Sequence, residues 1–540
     1  MVTGLPLPGL DDRRWQDLVD EARALIPLHA PGWTDHNAHD PGIMLMELFA
    51  WLAEMDLYRV NQVTDAHRRR LLALAGITPL PPRPARTLLG LSYGRTLEVP
   101  VGLEFEGRGP FGERVRFRAL HGLTVQPGRL ATVATGTAGP VAGASEDGVR
   151  RDVSASLARG RPVLPFGPNP RPGAALYLGF DLPAPWPAGT VLSLGTAFAD
   201  DGGAHSAGVE WELLTRCGTW APLAASGGPA RVSLTFPAPA VPAEDGLAWI
   251  RVRLARGGYD APPVLTALAM NAVEAVQAVP GVTTLTIARD AVVEGIPPEP
   301  GSRVPLDLEL SPEGEVTRLG FPAGPSSARD RPLIQVLECD LAERTLTLAV
   351  AAVCRGTGAP FQRIEIPGAP IAGNGLRLYS QEGRSWRAWA IRPDFDASGR
   401  ADAHAVPGRT DGIVTLGDGE RGRTAPPGST LLLTARLTRA EHGNLAAGTI
   451  DRVADTLVNR ALLPEPDEII PALGVRNVVP ATGGAAEETV GEAGHRAAAG
   501  WTSPRGRSPS TTTWRWPWPP RAPGRPGRRR APTRIPASPA

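Results

Sequence analysis

The sequence predicts an α+β fold, mostly β and multidomain. An N-terminal helical region leads into β-sandwich-like and further β-rich domains, followed by a disordered C-terminal tail. Three observations predict this. Apolar residues recur at helical spacing over the first 80 residues. From there to about residue 493, short runs alternate at period two between turn residues. Beyond that, proline, arginine, serine and threonine take over. The expected divisions are 1–80, 81–160, 161–275, 276–493 and 494–540.

The first helix carries Trp15, Leu18, Val19, Ala22, Leu25 and Ile26 on one stripe, with Asp11 and Asp12 placed to cap it. Pro31 and Gly32 break it. Asp40-Pro41 then supplies a cap followed by proline at the first helical position. The second helix, Ile43 to Tyr58, is apolar on nearly all sides, and three of the five methionines sit in it. Such a helix is either wholly buried or packed against another subunit. Leu48, Phe49, Trp51, Leu52, Met55 and Tyr58 are the candidate partner-interface residues. A third helix runs from Asp65 to Leu74 and stops at Gly76.

Prolines at 79, 81, 82 and 84 form a stiff linker, after which the period changes to two. Leu97–Val99, Arg114–Arg118, Ala175–Phe180, Val209–Leu213, Trp249–Leu254 and Thr345–Val350 read as strands. Their spacing over 162–275 suggests a β-sandwich. Residues 135–160 read as a loop, and a short helix is expected near Thr449–Leu462.

Composition excludes several classes. Arginine accounts for all 56 basic residues against 55 acids, a net charge of +1, which argues against binding nucleic acid through bulk charge. Glycine (62) and proline (58) make up about 22% of the chain, a turn-rich but globular proportion. Cys217, Cys339 and Cys354 are too few and too scattered for a disulfide framework or zinc site. Membrane insertion is not expected, because no run approaches the ~18 apolar residues a spanning helix needs. The start lacks the basic and apolar regions of a signal peptide. The expected place of assembly is the cytoplasm.

Few residues suggest chemistry. His36 and His39, flanked by Asp35 and Asp40, have a spacing that metals accept. A structured loop with Asp40 as helix cap explains them more simply, and no metal or cofactor is expected. Asp418 and Glu420 lie in a Gly-rich segment between Ile413–Leu416 and Leu431–Thr434. Strand-like flanks make a hairpin or Ω-type turn the expectation, rather than a phosphate loop or a glycosidase acid pair. Ser193 and Ser226 lack a nucleophile-elbow context. Trp211, Trp220 and Trp249 could stack on sugars, but core packing is their ordinary role. No catalytic residue is expected.

Several blocks together resemble one family. They are Leu5–Trp15 with Ala24–Pro27, Trp33–Ile43 running into Glu47–Met55 and Tyr58–Asn61, and Phe166-Gly167 with Pro172–Asp181. Further blocks are Val209–Glu212, Trp249–Arg251 with Gly257–Pro263, Gly417–Gly422, His442–Asn444 and Pro480–Gly484. Over about 1–493 the chain resembles the baseplate assembly proteins of contractile phage tails and phage-tail-like injection systems, the wedge or J-like family. The resemblance implies a structural, non-enzymatic part of a tail-like particle, in six-fold arrangement around a hub and spike. Its implied partners are a second wedge protein and a small sheath-initiating protein. An alternative class is a secreted carbohydrate-binding or carbohydrate-active β-protein, and a third is a metal-dependent hydrolase using His36 and His39.

The family continues beyond the Ala-Thr-Gly-Gly motif with a helix and a Val-Thr-x-x-Asp-Tyr segment. Here the pattern departs at about residue 494. In a frame displaced by two nucleotides, Arg507–Trp518 can be decoded as VTLDDYVALAVA, because every Trp codon then yields Val, Leu or Met. A frameshift is therefore expected to have produced 494–540, against the simpler reading of a disordered basic tail.

Overall fold

In the computed structural model the described residues are 11–35, 37, 39–62, 64–138, 150–200, 207–228, 231–322, 331–368, 370–373 and 375–502. The chain divides into two compact units. One comprises the described residues up to Leu80 together with those from Glu488, and the other runs Pro81–Glu487. The mostly β, multi-sheet architecture agrees with the sequence.

The first unit is helical. Helix α1 spans Trp15–His29, α2 spans Pro41–Asn61 and α3 spans Asp65–Leu74. Asp40 caps α2 as expected, accepting from the amides of Gly42 at 2.6 Å and Ile43 at 3.3 Å, with Pro41 in the first turn. Asp11 and Asp12 do not cap α1. The helix starts after Arg14, whose amide donates to Asp17 at 2.8 Å, while Asp11 binds Arg13 at 2.7 Å. Gly76 follows α3 with φ +72, a conformation open to glycine without strain.

A fourth helix of this unit, Val490–Thr502, corrects the disorder expected from residue 494. Thr489 and Glu492 form a capping box, and Ala497–Ala499 propagate the helix. The Thr489 amide holds the Glu492 carboxyl below the usual carboxylate range. Arg496 pairs with Glu488 at 2.8 Å and donates to the Thr78 carbonyl at 2.9 Å. The rest of the tail, including the decoded segment 507–518, lies outside the described residues.

The second unit holds the sheets, and they do not follow chain order. A six-stranded sheet takes Arg86–Ser92, Glu104–Arg108 and Arg114–Ala119 from one stretch, Ala272–Val276 from another, and Ile450–Val453 and Gly474–Asn477 from a third. Phe105, Phe117, Val273, Ile450 and Val453 meet in one core. The chain leaves this sheet after Ala119 and again after Val276.

The first excursion forms a nine-stranded sheet, whose distant strands share one core: Leu176, Leu178 and Phe180 pack with Leu192, Leu234 and Leu265. It recruits Arg129–Thr137 and Arg151–Asp152 as strands, and Ser154–Ala158 is a short helix. The loop expected over 135–160 is therefore structured at both ends, and 139–149 lie outside the described residues. The second excursion builds a six-stranded sheet over 283–348 and a seven-stranded sheet over 352–434, each with its own core.

Two further expectations change. The helix expected near Thr449–Leu462 begins only at Leu457, where Thr456 caps it. Ile450–Val453 instead pair with Glu104–Arg108, because burying Ile450 and Val453 in the sheet outweighs local helix preference. Of the two turn forms expected around Asp418, hairpin or Ω-type, the flanking strands do not make the hairpin. Ile413–Leu416 pairs with Arg363–Glu365 and His404–Gly408, whereas Thr430–Thr434 pairs with Ala352–Arg355 and Arg377–Glu382.

Candidate functional site

Helix α2 presents two seams at heptad spacing, one of mixed polarity and one apolar. Ile43, Glu47, Ala50, Glu54, Leu57 and Asn61 recur at steps of four and three. Ile43 and Ala50 are buried. The Glu47 carbonyl accepts from the Trp15 indole at 2.9 Å, and its carboxylate pairs with Arg23 at 3.0 Å. Asn61 exchanges hydrogen bonds with the Asp11 backbone at 2.7 and 3.2 Å. This seam is therefore covered by α1 and the residues leading into it.

Met44, Leu48, Trp51, Met55 and Tyr58 form the second seam at the same steps, and Leu45, Phe49 and Leu52 widen it. All eight are exposed; Phe49 is 65% accessible, Tyr58 67% and Trp51 50%. The six interface candidates read from the sequence thus share one outward region of a single helix. Met44 and Leu45, absent from that set, extend it by a turn. Their signal was the same spacing carried back toward Pro41. Such a contiguous apolar surface is unusual on a monomer.

The loop before α2 is held by its own polar groups. The Trp33 indole donates to the Asp35 carbonyl at 3.1 Å and to Asp40 at 3.3 Å. The Asn37 side chain donates to Asp35 at 2.8 Å and accepts from the His39 amide at 2.9 Å. The Asp35 and Asp40 carboxylates are thus engaged locally. His39 is exposed, and His36 lies outside the described residues.

The remaining candidates are structural. The amide of Arg421, then that of Glu420, holds the Asp418 carboxyl below the usual range; the bonds are 2.6 and 2.8 Å. Glu420 pairs with Arg400 at 3.2 Å on the surface. The segment is a tight turn, since Gly417 and Gly422 approach so closely that a Cβ on Gly417 would lie 2.2 Å from the Gly422 backbone. Trp211, Trp220 and Trp249 are all buried and offer no face to a sugar. The Ser193 hydroxyl donates to the Ala272 carbonyl at 2.7 Å within the fold. Burial pushes the Cys354 thiol up to about 11 and raises that of Cys339, while Cys217 is exposed.

Two concavities lie in the β unit. One, of 480 Å³, is lined by residues such as Thr135, Phe166, Asn169 and Arg171 and by no acid, histidine or cysteine. The other, of 270 Å³, places Glu294 and Glu309 against Arg318 at 2.9 and 3.4 Å, and Asp307 against Arg331.

The sequence reading missed one buried charge network. Glu212 stands opposite Arg251 across two strands and accepts from it at 2.6 Å; Arg251 also lies over the Trp220 ring at 4.3 Å. Arg253 binds Glu210 at 2.6 Å. The signal was two period-two charge patterns of opposite sign, Glu210/Glu212 and Arg251/Arg253.

Fold and site together define a mostly β, multi-sheet chain with an apolar helix turned outward. No family model and no curated protein matches it. Among solved structures, it is similar to a chain of the type VI secretion system TssK-TssF-TssG baseplate subcomplex. That match has 13% identity and a TM-score of 0.35, covering 81% of this chain and 74% of the other. It is also similar to a chain of the anti-feeding prophage (AFP) baseplate, at 15% identity and a TM-score of 0.18, covering 50% of this chain and 43% of that one. No described helix is long and apolar enough to cross a membrane.

Proposed function

We propose that this chain is a structural wedge component of the baseplate of a contractile injection particle, acting through its interfaces and catalysing no reaction. The observation that carries this reading is the outer seam of α2. Eight large apolar side chains stay exposed on a helix whose other seam is already paired. Covering each against a partner would remove the remaining exposed apolar area from water, worth roughly 25 cal/mol per Å² buried, so the face is worth most to the protein when another chain covers it. The sequence blocks resembling baseplate assembly proteins, with Trp33–Asn61 the longest, support another wedge protein as the partner. Contact with a sheath-initiating protein and a hub, in six-fold arrangement, belongs to the same reading.

The test is co-expression with the candidate wedge and sheath-initiating proteins encoded beside this gene. The native chain should co-purify with the wedge partner. Leu48→Asp or Leu52→Asp should abolish co-purification while the β unit keeps its native protease resistance. Undiminished co-purification of both variants would refute the reading.

A further inference from the structure

The six-stranded sheet carries a second feature that the baseplate reading does not use. On one face Arg118 stands opposite Glu104, whose side chain is fully buried. Arg116, two residues before Arg118 on the same face, pairs with Glu104 at 3.3 Å, and the Thr456 hydroxyl donates to the same carboxylate at 3.1 Å. Glu104 is thus shared between Arg116 and Arg118, and its other carboxylate oxygen is buried without a hydrogen-bond partner.

Two more arginines converge there from distant stretches. The short strand Val279–Pro280 packs on Arg114–Ala119, and Arg436 stands opposite Pro280. A Cβ on Gly102 would lie 3.9 Å from both the Arg118 guanidinium and Leu462. Leu462 ends the helix Leu457–Leu462, which packs on Leu333–Asp340; there Gln335 stands opposite Arg303. Among the described residues no hydrogen bond or ion pair engages the guanidinium groups of Arg118, Arg303 or Arg436, and the Arg118 Nε is buried without a partner. Burial lowers the pKa of both Arg118 and Arg436, the latter to about 10; repulsion within the trio adds to this and the Glu104 carboxylate opposes it. Arg116, Arg118, Arg303 and Arg436 thus share the single carboxylate of Glu104, and an excess of like charge drawn partly out of water destabilises a fold.

We infer that Arg118, Arg303 and Arg436 form a receptor for an oxyanion, either a carboxylate on an acidic peptide segment or a phosphate. The guanidinium fork matches both groups with paired N–H donors. Arg303 is exposed and gives the anion a way in. This inference is independent of the baseplate reading.

The test is thermal unfolding of the full chain at constant ionic strength, in chloride, in inorganic phosphate and with pentaglutamate peptide. Phosphate or the peptide should raise Tm over chloride by roughly 2–5 °C when well above its Kd. A response to pentaglutamate at concentrations where phosphate has none identifies a peptide carboxylate as the source, and the reverse identifies a small ion. Arg436→Gln should remove the anion-dependent rise and leave Tm in chloride equal to or above that of the native chain. Should that variant not fold, the more exposed Arg303→Gln should reduce the rise. Equal Tm in all three media, or an undiminished rise in the folded variants, would overturn the inference.

Discussion

The strand Ala248–Arg256 and helix α2 make opposite use of apolar side chains. The strand buries seven of its nine residues, including two arginines. The helix is far richer in large apolar groups but buries only Ile43 and Ala50. Composition does not decide burial here; the number of neighbours does. The strand has a hydrogen-bonded partner on each side, Ala174–Asp181 and Gly208–Leu214, and a shared core beneath it. Helix α2 has α1 along one seam. The difference is that α2 leaves one apolar seam without a neighbour among the described residues, which is the basis for the proposed partner interface, whereas the strand is flanked on both sides.

Substitutions sharpen this contrast. The largest effect is expected at the buried ion pair. Glu212→Ala leaves Arg251 buried without its carboxylate and should destabilise the β unit by about 3–5 kcal/mol, read by denaturant unfolding. Leu254→Ala, in the same strand, should cost about 2–5 kcal/mol by opening a cavity. Leu48→Ala on α2 removes the same side chain from an exposed position and should change stability by no more than about 0.5 kcal/mol. Comparable losses at Leu254 and Leu48 would break the contrast.

Smaller effects test the local devices. Asp40→Ala removes the α2 cap and should cost about 1 kcal/mol, seen as faster amide exchange over residues 42–45. Thiol labelling read by mass spectrometry should follow burial. At pH 8 Cys217 reacts first and Cys354 last, because a thiol raised to about 11 holds little thiolate there. Cys354 should gain reactivity only as the pH approaches that value while the fold persists. Early labelling of Cys354 at pH 8 would place it nearer the surface than the structure does.

Much of this was legible in the sequence, in an uneven way. Periodicity located α2, α3 and strands such as Leu97–Val99 and Arg114–Ala119, because spacing and caps are local signals. Asp40-Pro41 fixed the start of α2, and the apolar excess beyond one seam marked its outer face. Asp11-Asp12 misled because the Asp11 carboxylate is taken up by Arg13 instead of the helix amides. Long-range pairing was not legible. Nothing near Ile450–Val453 announces that its partner lies more than 340 residues earlier, at Glu104–Arg108. The same holds for the Gly417–Gly422 turn, which joins two strands that never meet, and for the arginines gathered around Glu104. Such arrangements are set by which strands close a sheet, and no local pattern encodes that choice.

The central claim is that the outer seam of α2 is covered in the assembled state. Hydroxyl-radical footprinting of Met44, Trp51, Met55 and Tyr58 measures this directly, comparing the free chain with the chain in purified tail-like particles. The account predicts ready oxidation of all four in the free chain and strong protection in the particle, with the exposed Phe111 of the β unit as an internal reference. Equal oxidation of the four in both states would contradict it.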